Sequence, residues 1–145
     1  MQPILHLSIP VHDLDDAVSF YVRALGCQAA RAKDEFADVW FFGMQVTLHE
    51  RPNEADEASP AGGTRHFGVT LGRDEFDALV ARLDATGVEW LVPVTTDDAG
   101  LPTEQTKGKV ADPSGNVIEV KTYRDVAAAL EVSPHSYPAA SAHGN

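Results

Sequence analysis

The chain repeats itself, and the repeat restricts the fold more than any single motif does. His6 opens the stretch His6-Leu7-Ser8-Ile9-Pro10-Val11, and 60 residues later His66 opens His66-Phe67-Gly68-Val69-Thr70-Leu71. Gly26 and Gly87, each placed where a helical pattern stops, stand 61 residues apart, so two unrelated landmarks share nearly one offset. Whatever the first half builds, the second half should build again, and the two apolar faces must be buried together.

Each half reads as strand, helix and three strands. Residues 4–11 alternate and are rich in branched apolar side chains, which predicts a strand with His6 and Ser8 on one side. Asp13 is a suitable N-cap, and Leu14, Ala17, Val18, Tyr21 and Leu25 form a helical stripe that ends at Gly26. Strands are predicted near residues 27–32, 36–42 and 44–50, with Gly43 in the last turn. Residues 51–64, rich in Pro, Asp, Glu and Gly, cannot bury a core and read as a linker.

The second repeat, 65–121, follows the same order. It has a strand at 65–71, a helix from about Asp74 with Phe76, Leu79, Val80 and Leu83 on one face, and strands near 88–94, 105–111 and 116–121. A short helix is expected within 123–131, and residues 132–145, which include His135 and His143, read as a disordered tail without a catalytic role. The predicted fold class is therefore α+β, a single domain over 1–131 with two βαβββ repeats forming curved mixed sheets.

Laying one repeat over the other puts Gly43-Met44-Gln45-Val46-Thr47 on Gly115-Asn116-Val117-Ile118-Glu119, so Thr47 is the partner of Glu119. The inward positions are then His6, Thr47, His66 and Glu119. Two imidazoles and one carboxylate are a metal-binding set. A net charge of -11 and a pI near 4.7 argue against nucleic acid or an anionic membrane as partner, because such binding depends on basic side chains. The sequence has no basic-then-apolar leader and no apolar run approaching membrane-spanning length, so a cytoplasmic location is expected. Cys27 is the sole cysteine and cannot form an internal disulfide; it reads as a buried packing residue.

The blocks His6-Leu7-Ser8-Ile9-Pro10-Val11-His12-Asp13-Leu14, Phe20-Tyr21, Leu25-Gly26-Cys27, Phe41-Phe42-Gly43, His66-Phe67-Gly68-Val69 and Asp112-Pro113-Ser114-Gly115-Asn116-Val117-Ile118-Glu119-Val120-Lys121 carry a resemblance. In this order they resemble the vicinal oxygen chelate superfamily, which includes glyoxalase I, fosfomycin-resistance transferases, bleomycin-binding proteins and type I extradiol dioxygenases. Within it they look most like a small single-module group described as predicted extradiol dioxygenases, as do Glu104-Gln105 and Tyr123-Arg124-Asp125.

The resemblance implies that His6, His66 and Glu119 bind one divalent metal. Thr47 stands where glyoxalase I has a further carboxylate ligand, which leaves an open face suited to Fe(II), with Mn, Ni or Zn as alternatives. The implied activity is ring cleavage of a catechol or other vicinal-diol small molecule by a non-haem Fe(II) extradiol-type dioxygenase. Two alternatives stand beside it: a redox-neutral lyase, isomerase or thiol transferase, and a drug- or metabolite-binding protein without turnover, whose known examples generally lack the triad. His49, two residues past Thr47 and facing the same way, is the candidate catalytic proton carrier. His12 reads as a loop residue; Lys121, of the same strand parity as Glu119, reads as a solvated strand end, with contact to an anionic substrate group as the alternative. Thr106-Lys107-Gly108-Lys109-Val110 departs from the apolar pattern of the group; the lysines either neutralise a carboxylate-bearing substrate or protect an edge strand. A homodimer is implied, with pairing of the halves within or between chains left open.

Overall fold

The structure is a computed structural model that describes residues 1–55 and 64–131. The first module comprises β1 (His6–Val11), α1 (Leu14–Arg23), β2 (Gln28–Lys33), β3 (Phe36–Phe41) and β4 (Met44–Glu50). A one-turn helix, α2 (Pro52–Ala55), follows. The second module comprises β5 (Phe67–Thr70), α3 (Arg73–Ala85), β6 (Trp90–Asp97), β7 (Gln105–Ala111) and β8 (Val117–Tyr123), and α4 (Val126–Leu130) closes the described chain.

The modules have the same topology. One sheet runs β1-β4-β3-β2 and the other β5-β8-β7-β6, with the first strand of each parallel to the last and the remaining pairs antiparallel. The α+β fold of two βαβββ repeats is thus present, and its two curved sheets are not closed on one another.

Local chemistry sets the helices. The Asp13 carboxylate accepts from the Asp16 amide at 2.8 Å, and the stripe buries Ala17 and Tyr21 before Gly26 turns the chain with φ 73°. Strand alternation points Leu7, Ile9 and Val11, and likewise Val46, Leu48, Ile118 and Val120, toward the helices. These join Tyr21, Phe76, Leu79 and Leu83 in one apolar cluster that spans both modules. Phe41 and Phe67 meet edge to face at 5.2 Å, the Arg82 guanidinium donates to the Arg23 and Val22 carbonyls at 2.9 and 3.2 Å, and Asn116 Nδ2 donates to Pro10 O at 2.9 Å.

Several boundaries differ from expectation for local reasons. β6 starts at Trp90 because residues 86–88 finish the preceding helix, with the Val88 amide bonded to Leu83 O at 3.2 Å. The expected linker 51–64 contains α2, whose Ala55 is buried; residues 56–63, and the expected tail 132–145 with His135 and His143, lie outside the described residues. Cys27 is buried, and burial pushes its thiol up to about 12 despite the opposing charge of Arg82, which leaves it inert at neutral pH. Among the described residues no helix is long and apolar enough to cross a membrane.

Candidate metal centre

Glu119 lies mid-strand in β8, on the face turned away from α3, and is only 8% exposed. Three cationic or basic groups surround it. His66 Nε2 lies 3.7 Å from Oε2, Lys109 Nζ 3.8 Å from the same oxygen, and Lys121 Nζ 3.2 Å from Oε1. Burial works against the Lys121 ammonium, yet hydrogen bonds and charge from Glu119 and Tyr123 outweigh it and hold the group above the ordinary lysine range.

A glycine makes this geometry possible. Gly68 pairs with Glu119 across the β5–β8 ladder, and a Cβ at residue 68 would fall 2.0 Å from the Glu119 carbonyl oxygen. Only a residue without a side chain lets β5 approach this closely, and His66 sits just ahead of that strand.

The Lys107-Gly108-Lys109 run also has a steric reason. A Cβ on Gly108 would meet the Trp90 ring at 2.8 Å and Val94 at 3.0 Å, so glycine fits under the tryptophan while the lysines project to the opposite face. β7 lies between β6 and β8, which overturns the reading of a charge-protected edge. Lys107 is taken up by Asp97 at 2.9 Å; Lys109 turns to Glu119.

In the first module the corresponding place is filled differently. Thr47 donates to Asp38 Oδ1 at 2.7 Å, while Gln45 Nε2 and Arg31 Nε donate to Oδ2 at 3.1 and 3.2 Å. Thr47 is therefore committed to a hydrogen bond. Asp38, 5% exposed, faces Thr47 in register as Lys109 faces Glu119, so each sheet holds one buried carboxylate, on β3 in the first and on β8 in the second. Sequence reasoning passed over Asp38, although an acid inside Phe36-Ala37-Asp38-Val39-Trp40-Phe41 was a visible signal.

Burial raises the Asp38 carboxyl, but Thr47, Gln45 and Arg31 together outweigh it and hold it below the usual range. A lowered folded value stabilises above the ordinary carboxylate range, and that stability is lost as pH falls through the lowered value. Asp38→Asn should cost about 1–2 kcal/mol at pH 7 and should flatten the loss of stability on acidification. Thermal melts of both proteins between pH 7 and pH 3 test this, and parallel curves would refute it.

The predicted site residues are only partly gathered in one chain. His66 and Glu119 meet. His6, the first residue of β1, is exposed and lies opposite Gln45 in the other sheet, and among the described residues no three His, Cys, Asp or Glu side chains are grouped to hold a metal. His49 is half-buried with its ring 5.7 Å from Phe36, and occupies in the first module the place Lys121 has in the second. The His12 amide is bonded to Ser114 Oγ at 2.8 Å, a tie to the β7–β8 turn. A groove of about 550 Å³ between β1 and β5 is lined by Ser8, Pro10, Arg65, His66 and Val117. Of the candidate residues that groove holds only His66; His66, Glu119 and Lys121 together line a smaller depression of about 210 Å³ over β5 and β8, while a cleft of about 660 Å³ between α1 and β2 has no imidazole in its wall.

Against known families, residues 3–120 match the model of the Glyoxalase/Bleomycin resistance protein/Dioxygenase superfamily. The chain belongs to this superfamily. A solved superfamily member from Alicyclobacillus acidocaldarius, described as a glyoxalase/bleomycin resistance protein/dioxygenase, is 33% identical, with a TM-score of 0.75 over 85% of this chain and 92% of that one. The fosfomycin resistance protein FosX from Listeria monocytogenes shares the fold at 16% identity, with a TM-score of 0.68 over 84% of this chain and 93% of that one. TioX from Micromonospora sp. ML1 does so at 21% identity, with a TM-score of 0.64 over 83% and 98%. Many members of the superfamily are metalloenzymes that act on small molecules, and many are dimers. Of the donors a divalent metal ion takes, one chain brings two together, the His66 imidazole and the nearly buried Glu119 carboxylate, on an open sheet face.

Proposed function

We propose that this protein is a metal-dependent enzyme of the superfamily in which His66 and Glu119 of one chain and His6 of a second copy hold one divalent cation. The 3.7 Å approach of His66 to a nearly buried Glu119 is the observation that carries the reading. Sharing across a homodimer is supported by the surroundings of His6. Leu5 is 72% exposed, Ile4 48%, Phe42 46% and Trp40 36%, and all lie at the same end of the first sheet. An apolar patch of this kind, on an edge strand and its neighbours, is suited to burial by another protein surface.

With Fe(II) as the ion, the centre would supply the electron relay between a vicinal diol and dioxygen by which extradiol ring cleavage proceeds. His49 is assigned the proton from the diol and its return to the product. Trp40 and Phe36, which share its sheet face, offer a flat wall for a ring. The lysines beside Glu119 favour a second reading, a redox-neutral lyase, isomerase or transferase acting on an anionic substrate through Mn, Ni or Zn.

Anaerobic loading with Fe(II) and oxygen-electrode measurement over a panel of catechols should give uptake that depends on the diol. No uptake, with isomerase or transferase activity on Zn(II) or Ni(II), would move the assignment to the second reading. His66→Ala should remove most bound metal while leaving the melting temperature nearly unchanged; unaltered metal content would refute the ligand assignment. Because a two-fold dimer would place both shared sites symmetrically, His6→Ala and His66→Ala chains refolded together should recover about one quarter of the sites. No recovery would sink the shared site.

A further inference from the structure

We propose that the helix-covered face of the second sheet carries a separate site for a small oxyanion of the phosphate type, which needs no metal. The site is a pocket of about 370 Å³ where α3 begins, walled by Arg73, Glu104, Thr106, Thr122, Tyr123 and Arg124. Alternation along β8 puts Thr122 with Ile118 and Val120, on the face opposite Glu119 and Lys121. The metal centre and this pocket thus lie on opposite sides of one strand.

An unanswered hydroxyl marks the place. Thr122 is 3% exposed, and its Oγ1 is the one buried side-chain polar atom without a hydrogen-bond partner among the described residues. Its cross-strand neighbour Thr106 is satisfied, sharing a bond with Thr96 Oγ1 at 2.9 Å and accepting from Arg73 Nη1 at 3.5 Å. A valine would fill the same space and leave nothing to be paired, so packing alone favours valine at this position.

The groups around the hydroxyl are those an oxyanion takes. Among the described residues the Arg124 guanidinium has no partner, while its backbone amide is tied to Glu104 O at 2.9 Å. Arg73 gives Nε to Asp77 at 3.1 Å, which leaves Nη2 for a ligand. Glu104, the one acid in the wall, already accepts from the Gly100 amide at 2.6 Å through Oε2. The N-cap of α3 is Gly72, which supplies no side-chain bond, so the first-turn amides lack a capping acceptor. Asp74 and Glu75 stand in that turn but outside the pocket wall. The Leu71 amide, bonded to Lys121 O at 2.9 Å, holds this helix start beside Thr122. A bound oxyanion would bridge the two guanidinium groups and accept the Thr122 hydroxyl, turned toward it about χ1. In a chain of net charge -11 general attraction opposes an anion, so its binding must come from placed donors.

The test is isothermal titration of the full chain with inorganic phosphate, after dialysis against a chelator and at constant ionic strength. The parent should bind phosphate saturably without metal. Arg124→Gln should weaken that binding about tenfold and Thr122→Val about threefold. Thr122→Val should also raise the melting temperature of the phosphate-free chain, because it removes an unpaired buried hydroxyl. Lys121→Gln, a change on the other face, should leave phosphate affinity as in the parent. Absence of saturable binding overturns the proposal, and so does parental affinity in Arg124→Gln or in Thr122→Val. Binding lost in Lys121→Gln but kept in Arg124→Gln would put the anion on the open sheet face and overturn it equally.

Discussion

Gly68→Ala is expected to lower the melting temperature by about 10 °C and to weaken metal binding by an order of magnitude or more. The added methyl would fall 2.0 Å from the Glu119 carbonyl oxygen, which is backbone in a central strand and cannot rotate away. β5 must therefore retreat from β8, and His66 retreats with it. The stability loss corresponds to roughly 2–3 kcal/mol of overpacking. The joint readout matters: His66→Ala should lose metal with little loss of stability, whereas Gly68→Ala should lose both. A Gly68→Ala protein that melts like the parent and holds metal normally would show that the strands are not set by this contact.

Asp112→Ala should be the most destabilising single change in the β7–β8 turn, at about 3–5 kcal/mol. The carboxylate is 4% exposed and accepts from the Tyr21 hydroxyl at 3.0 Å, from the Ser114 and Asn116 amides at 2.9 Å each, and from Asn116 Nδ2 at 2.8 Å. Tyr21 is itself wholly buried, so its hydroxyl would be left without an acceptor. Tyr21→Phe removes one donor and leaves three, and should cost only about 1 kcal/mol. Urea unfolding of both variants tests the order, which the opposite ranking would overturn.

Burial holds the Asp112 carboxyl above its ordinary range in spite of those donors. Its contribution is complete below the unfolded value and declines as pH rises through the raised one, opposite in sign to that of Asp38. The Asp38→Asn comparison is for this reason made against the parent at each pH.

The architecture was legible because duplication writes itself twice. An offset shared by His6/His66 and Gly26/Gly87 locates strands and helix ends without reference to any distant contact. Tyr21 and Asp112 were each placed in the right element, but a bond between residues 91 positions apart leaves no mark on periodicity. Asp38 escaped for a different reason: alternation tells which face a residue occupies, not whether a neighbouring strand supplies its partners. For Lys107 and Lys109 the residue pattern allows a substrate role or a protected edge, and strand order removes the edge. His66 and Glu119 were picked out together by repeat alignment. That alignment could not tell that His6 stands apart from them within one chain, since symmetry relates positions but not the hand-off between molecules.

The glycine at 68 also bears on how this scaffold can be rebuilt. Its repeat partner is Ser8, which pairs with Thr47 and has room for a side chain there. The two halves are therefore not interchangeable parts at backbone level. Copying the acid of β8 into β4 as Thr47→Glu would place a carboxylate on a ladder spaced for a hydroxyl and already answered by Asp38. A second buried acid of the β8 kind would have to be transplanted as a set, with Ser8→Gly and a replacement at Asp38, so the unit of exchange is a strand pair and not a residue.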